Sequence, residues 1–413
     1  MIMMEYLELY ARLKRFYTFE AGEFTDEVLE IKLTNLHFKS DTHRAFPEGD
    51  EYTEINPLVK ALMKFYLSHN EYSDRYLLKM LSVPDIEIQE NNEFTYSILS
   101  DLNCKEADSA IILLHGLNER GWEKYLPWAY HLMKSTGKPV ILFPNAFHMN
   151  RAPLCWSNFR LMNEISAERK NLLPGVTLSS PINSAISTRL QFVPQRFVYS
   201  GLQTIYDITK LADQAKDGLI PGLNEGTSIN LFGYSIGAFI AEIIMMSNPY
   251  GLFNNSRCVL FCGGSTLDKM LPINKYILDS GATEAIMDFY VNRLEQNLSN
   301  DERLSALFGS EDEETFIFKA MLSDKANSSV RSRYLSKIRE RLYCIALGQD
   351  DVMRSEAIKE TLDIPQVKKI KIETLDFDYK YTHENPFPSL TKIKNEVQNG
   401  FEEVFGKAAM FLN

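Results

Sequence analysis

The stretch Ile229-Asn230-Leu231-Phe232-Gly233-Tyr234-Ser235-Ile236-Gly237-Ala238 decides how the chain reads. Its first four residues form a short buried strand. Ala238 onward is helical, and between the two lies Gly-x-Ser-x-Gly. A serine there must take a strained backbone conformation that lifts its hydroxyl above the sheet edge. Gly233 and Gly237, two residues to either side, let strand and helix backbones approach each other. Ser235 then sits at a helix N-terminus, whose dipole favours negative charge. The backbone N–H of Ile236 points to where an oxyanion would form.

Similar short apolar runs occur on both sides of this turn. Strands are predicted over 94–99, 110–114, 140–143, 258–262, 342–347 and 369–375, with helices over 128–134 and 238–246. Fully apolar strands alternating with helices imply a mostly parallel sheet covered on both faces. Residues 1–85 read as a helical N-terminal extension, with helices around 7–13, 58–66 and 72–81 and a polar loop over 39–54. Residues 86–413 form the α/β domain. Two segments interrupt its rhythm: 146–195, proline-rich and without clean periodicity, and 265–338, which is helical. Both follow sheet strands at positions suited to a cap or lid.

Three further segments bear on the chemistry. Strand 110–114 ends in His115-Gly116-Leu117. Strand 342–347 ends in Gly348-Gln349-Asp350-Asp351. His383, in Thr382-His383-Glu384-Asn385, alone among the seven histidines follows Ser235. With the Gly-x-Ser-x-Gly turn, these segments resemble the α/β-hydrolase superfamily over roughly residues 85–410. The resemblance implies a Ser-His-Asp triad in the chain order Ser235, Asp351, His383. Asp350 is the alternative acid and Asp268 a more distant one. It implies an oxyanion hole made by the backbone N–H groups of Leu117 and Ile236, with Gly116 aiming the first. His115 is expected to orient the loop rather than move a proton. The implied reaction is hydrolysis of a carboxylic ester or thioester through an acyl-enzyme. The same triad would serve a peptidase or amidase. A non-catalytic scaffold binding a partner is a third reading, and a hydrolase whose lid needs opening a fourth. No metal or organic cofactor is required.

Composition narrows the partners. The chain has 44 Lys and Arg against 55 Asp and Glu, for a net charge of −11, which argues against nucleic acid as the main partner. The 5 cysteines are too scattered for a disulfide framework, and Cys258, Cys262 and Cys344 read as buried thiols. No stretch is apolar and long enough to span a membrane, and the start lacks the features of a signal peptide, so the expected compartment is the cytoplasm. The expected substrate is a small ester or acyl compound. Trp122, Trp128 and Trp156, near Phe143, Phe147 and Phe159, could line an apolar pocket or pack helices on the sheet. Arg120, Lys124 and Arg151 could hold an anion but read more simply as surface charges. His148 could line the pocket. Met245 and Met246 read as core, and Glu311 to Glu314 as a helix start.

Overall fold

The computed structural model describes residues 4–46, 83–363 and 370–413. Among these residues nine strands form one sheet: β1 Gly22–Asp26, β2 Ile31–Lys39, β3 Glu93–Asp101, β4 Ala107–Leu114, β5 Val140–Leu142, β6 Leu223–Tyr234, β7 Cys258–Phe261, β8 Leu342–Leu347 and β9 Lys371–Leu375. Their spatial order is β1-β2-β3-β5-β4-β6-β7-β8-β9. The first three are antiparallel to their neighbours, and pairing from β5 through β9 is parallel.

The two-residue period of the strands sorts their side chains into two cores. Ile112, Leu114, Leu231, Leu260 and Cys344 face one side. There they meet helices α5 Arg196–Lys216, α6 Ile236–Ser247, α8 Glu313–Ala320 and α9 Ser328–Ile338. Ile111, Leu113, Phe232, Val259 and Ile345 face the other. That side is covered by α1 Tyr6–Phe16, α2 Leu126–Thr136 and α10 Lys394–Leu412. Apolar residues at every position of β8 are therefore required, because both faces are covered. Trp122, Trp128, Phe143, Met245 and Met246 all belong to these cores. With the glycine-flanked serine turn joining β6 to α6, this is the α/β-hydrolase arrangement.

The structure corrects the helical N-terminal extension. α1 is helical, but β1 and β2 form a hairpin that extends the sheet. β2 pairs with β3 along nine consecutive positions, from Ile31↔Asp101 to Lys39↔Glu93. Its apolar residues split between faces, Ile31 and Leu33 to one core and Phe38 to the other. Asp26 closes the hairpin by accepting from the Val28 and Leu29 amides, and it pairs with Arg12 of α1 at 2.6 Å. The polar stretch 39–54 begins with the end of β2 and holds a short helix, Thr42–Ala45. The helices predicted over 58–66 and 72–81 lie outside the described residues.

Both interruptions carry helices. The first holds α3 Phe159–Leu172 and α4 Ser184–Phe192, and the second opens with α7 Ser280–Met287. Arg169 and Asp279 join them through a fully buried ion pair at 2.6 Å. Asp279 also caps α7, accepting from the Ala282 amide at 3.0 Å. Asp279→Ala removes the cap and strands a buried guanidinium. The expected loss is about 3–5 kcal/mol, read as a lower urea midpoint.

Glu242 of α6 is buried, and neither carboxyl oxygen has a hydrogen-bond partner. Burial raises its carboxyl from 4.5 to about 8, against a smaller pull from Arg331. Below the lower value both folded and unfolded chains hold the proton. Between the two values only the folded chain does, so stability falls as pH rises, by on the order of 1.4 kcal/mol per unit. Comparing urea midpoints at pH 5 and pH 8.5, wild type should lose more stability than Glu242→Gln. Among the described residues, no helix is long and apolar enough to cross a membrane.

Candidate active site

β6 delivers Ser235 into the turn at φ 57°, ψ −121°, a backbone conformation that residues other than glycine rarely adopt. Strain of about 1–3 kcal/mol is tolerated because the surroundings leave no alternative. A Cβ on Gly233 would lie 2.5 Å from the Ala238 Cα, and one on Gly237 2.5 Å from the Leu114 carbonyl oxygen. Gly263 plays the same part from β7's end, where a Cβ would meet that of Ala238 at 2.4 Å. The Ser235 amide donates to the Phe261 carbonyl at 3.1 Å, pinning the turn to β7.

The Ser235 hydroxyl lies 2.7 Å from His383 Nε2. His383 Nδ1 lies 2.8 Å from Asp350 Oδ2. A carboxylate only accepts, so Nδ1 carries the proton and Nε2 presents its lone pair to the serine. All three residues are buried. Asp350 Oδ1 is occupied by the Val352 and Met353 amides at 2.9 and 2.8 Å, which fixes the carboxylate's orientation.

It is Asp350, and not Asp351, the acid expected from the sequence, whose carboxylate lies against His383. The chain turns tightly after β8, the Asp350 amide reaching the Leu347 carbonyl at 3.3 Å. That turn aims Asp350 inward and leaves Asp351 exposed. Asp268 is engaged elsewhere, accepting from Thr266 and Ser323.

His115 is fully buried and donates from Nδ1 to the Gly116 carbonyl at 2.8 Å. Its Nε2 accepts from the Asn145 amide at 3.0 Å. Burial, then the neighbouring His148, holds its pKa well below the usual value, so it is a neutral clamp on the loop. The Gly116 amide donates to the Tyr125 hydroxyl at 3.0 Å, which in turn donates to Glu119. Leu117 and Ile236 both line the pocket that Ser235 faces.

Two neighbours of the Ser235–His383–Asp350 chain, Tyr234 and Cys262, were given no part in the site by the sequence. Tyr234 stacks on His383 with ring centres 5.4 Å apart and donates its hydroxyl to the His383 carbonyl. Its place inside Gly-x-Ser-x-Gly is a signal that was available. Cys262 places its thiol against the Asp350 carboxylate, and burial pushes that thiol's pKa well up. Nothing in its sequence context marks this contact. Arg151 is not a surface charge: it makes a fully buried pair with Asp207 at 2.8 Å. Lys124 pairs with Glu119 and donates to the Glu384 carbonyl at 3.1 Å. Arg120 donates to the Trp156 and Ile182 carbonyls.

Two apolar pockets meet at the site. One is lined by Ser235, Leu117, Ile236, Met270, Ile286 and Val352 among others, so the second insertion supplies much of its wall. The other shares Leu117, Ile236 and Phe197 with the first. It runs under the first insertion past Phe147, His148 and Trp156. Phe159 is exposed. A third, more polar cleft opens beside His383 and is lined by Glu119, Arg120, Lys124 and Glu384, with Tyr10 and Lys14 reaching it from α1.

Residues 4–413 match the model of a family of unknown function, DUF6051, and the chain belongs to that family. No curated protein matches the sequence significantly. Similar solved structures include an esterase from Pyrococcus furiosus, 13% identical with a TM-score of 0.43, covering 95% of this chain and 96% of that one. An S-formylglutathione hydrolase from Agrobacterium tumefaciens is 10% identical at 0.43, covering 95% and 99%. A carboxyl esterase from Tuber melanosporum is 10% identical at 0.44, covering 87% and 100%.

Proposed function

We propose that this DUF6051 protein is a serine hydrolase of the α/β-hydrolase superfamily, cleaving a carboxylic ester or thioester through an acyl-enzyme. The observation that supports this is the buried hydrogen-bond chain from Ser235 through His383 to Asp350, at 2.7 and 2.8 Å. Ser235 Oγ attacks the carbonyl carbon as His383 Nε2 takes its proton. Asp350 keeps the imidazole in the required tautomer and stabilises its cation. The Leu117 and Ile236 amides receive the oxyanion. His383 then returns the proton to the leaving group, and water, activated by the same histidine, releases the acid. The apolar pocket beside Ser235 suits an apolar acyl group.

The test is pre-steady-state turnover of p-nitrophenyl and thioester substrates of graded acyl length, with intact mass measured during the burst. The expected result is one equivalent of leaving group per enzyme and an acyl adduct on Ser235. Absence of Ser235-dependent turnover across the series would overturn the assignment.

A further inference from the structure

The pocket under the first insertion is apolar along most of its wall, yet it contains two buried acceptors without donors. His148 Nδ1 lies 2.8 Å from the Ala146 carbonyl, so Nδ1 carries the ring's proton and Nε2 its lone pair. Nε2 is buried and has no hydrogen-bond partner. Burial first, then Arg120 and Arg151, lowers His148 to about 4, so the ring is neutral at pH 7. Asn145 donates through Nδ2 to the His115 carbonyl at 3.1 Å, which fixes its amide orientation. Asn145 Oδ1 is likewise buried and without a partner. His148 is 8% exposed and Asn145 5%, and both line this pocket.

Unmet buried acceptors are costly, so the pocket favours a ligand that brings a donor. The pocket's charges narrow which donor. Arg189 and Arg196 lie in the same wall and share one carboxylate, Asp85, so its net charge is positive and disfavours an ammonium group. Two unmet acceptors in the wall disfavour a carboxylate or phosphate, which would bring further acceptors. An amide would bring a strong acceptor of its own, while the nearby Ser200 and Thr204 hydroxyls already donate to the Phe197 and Ser200 carbonyls. A neutral hydroxyl is the group that remains.

We infer that this pocket is a specificity subsite for a hydroxyl-bearing arm of the substrate, with His148 Nε2 receiving the hydroxyl proton and Asn145 Oδ1 a second acceptor in the same wall. The inference rests on the hydrolase reading and adds a substrate class to it. Because the pocket shares Leu117 and Ile236 with the one beside Ser235, a single ester reaches both.

The test uses Ser235→Ala protein, so that bound esters stay intact, and calorimetry with methyl octanoate and its series of mono-hydroxylated isomers. At least one isomer should bind about tenfold tighter than the parent, equivalent to about 1.4 kcal/mol. His148→Phe should abolish that preference, while His148→Gln, which keeps an acceptor, retains part of it. The inference is overturned if no isomer outbinds the parent, if no ester binds, or if the preference survives His148→Phe. It is also overturned if the Phe and Gln variants lose the preference equally, since that marks a structural role. A hydroxyl preference in protein that fails to react with a fluorophosphonate would instead sink the hydrolase reading alone.

Discussion

Ser235→Ala and His383→Ala should each lower kcat on an activated ester by about a million-fold, and the double variant should lose no more. The two side chains act as one device. The Ser235 hydroxyl is a poor nucleophile until His383 Nε2, 2.7 Å away, takes its proton. Without the serine, the base has nothing to activate. Without the base, the serine is inert at neutral pH. What survives is binding and oxyanion stabilisation, which neither substitution touches. Steady-state rates of the two single variants and the double variant, on one ester, check this. Additive losses would mean that the residues work independently.

Asp350→Asn should lower kcat by about ten-thousand-fold, whereas Asp351→Asn should leave it within about twofold. The argument is one of tautomers. Asp350 Oδ2 accepts from Nδ1, which leaves Nε2 free to accept from Ser235. An asparagine can turn its amide N–H toward Nδ1, driving the ring proton to Nε2, where it blocks the base. Asp351 faces solvent and touches none of this. The same assay on both variants distinguishes the two neighbouring aspartates. A large loss with Asp351→Asn and none with Asp350→Asn would reverse the assignment.

The most legible parts of the chain were those where one physical demand dominates. Strand β8 is apolar at six successive positions because both faces are covered, so its span was readable to the residue. The serine turn was readable because its close approaches tolerate only glycine at 233 and 237. The acid was harder. Asp350 and Asp351 are identical in type, and only the turn after Leu347 decides which one points inward. The β1–β2 hairpin was missed because Thr34-Asn35 shifts the phase of the alternation, so that Ile31 and Leu33 face one core and Phe38 the other, and the partner strand is β3, some sixty residues further on. Helix α3 was hidden for a different reason. Its buried stripe of Met162, Ile165, Ser166 and Arg169 includes a charged residue whose partner, Asp279, lies in the other insertion. Long-range pairing of that kind leaves no local signature. The tryptophans divided by position: Trp122 and Trp128 pack in the sheet's core, while Trp156 reaches a pocket.

The central claim is that Ser235 is an activated nucleophile, and labelling with a fluorophosphonate probe tests it most directly. The probe phosphonylates such a serine whatever the natural substrate is. Peptide mapping should place one adduct on Ser235 in wild type, with none in Ser235→Ala and little in His383→Ala. Folded wild-type protein that takes up no label, with or without detergent or lipid present, would contradict the account.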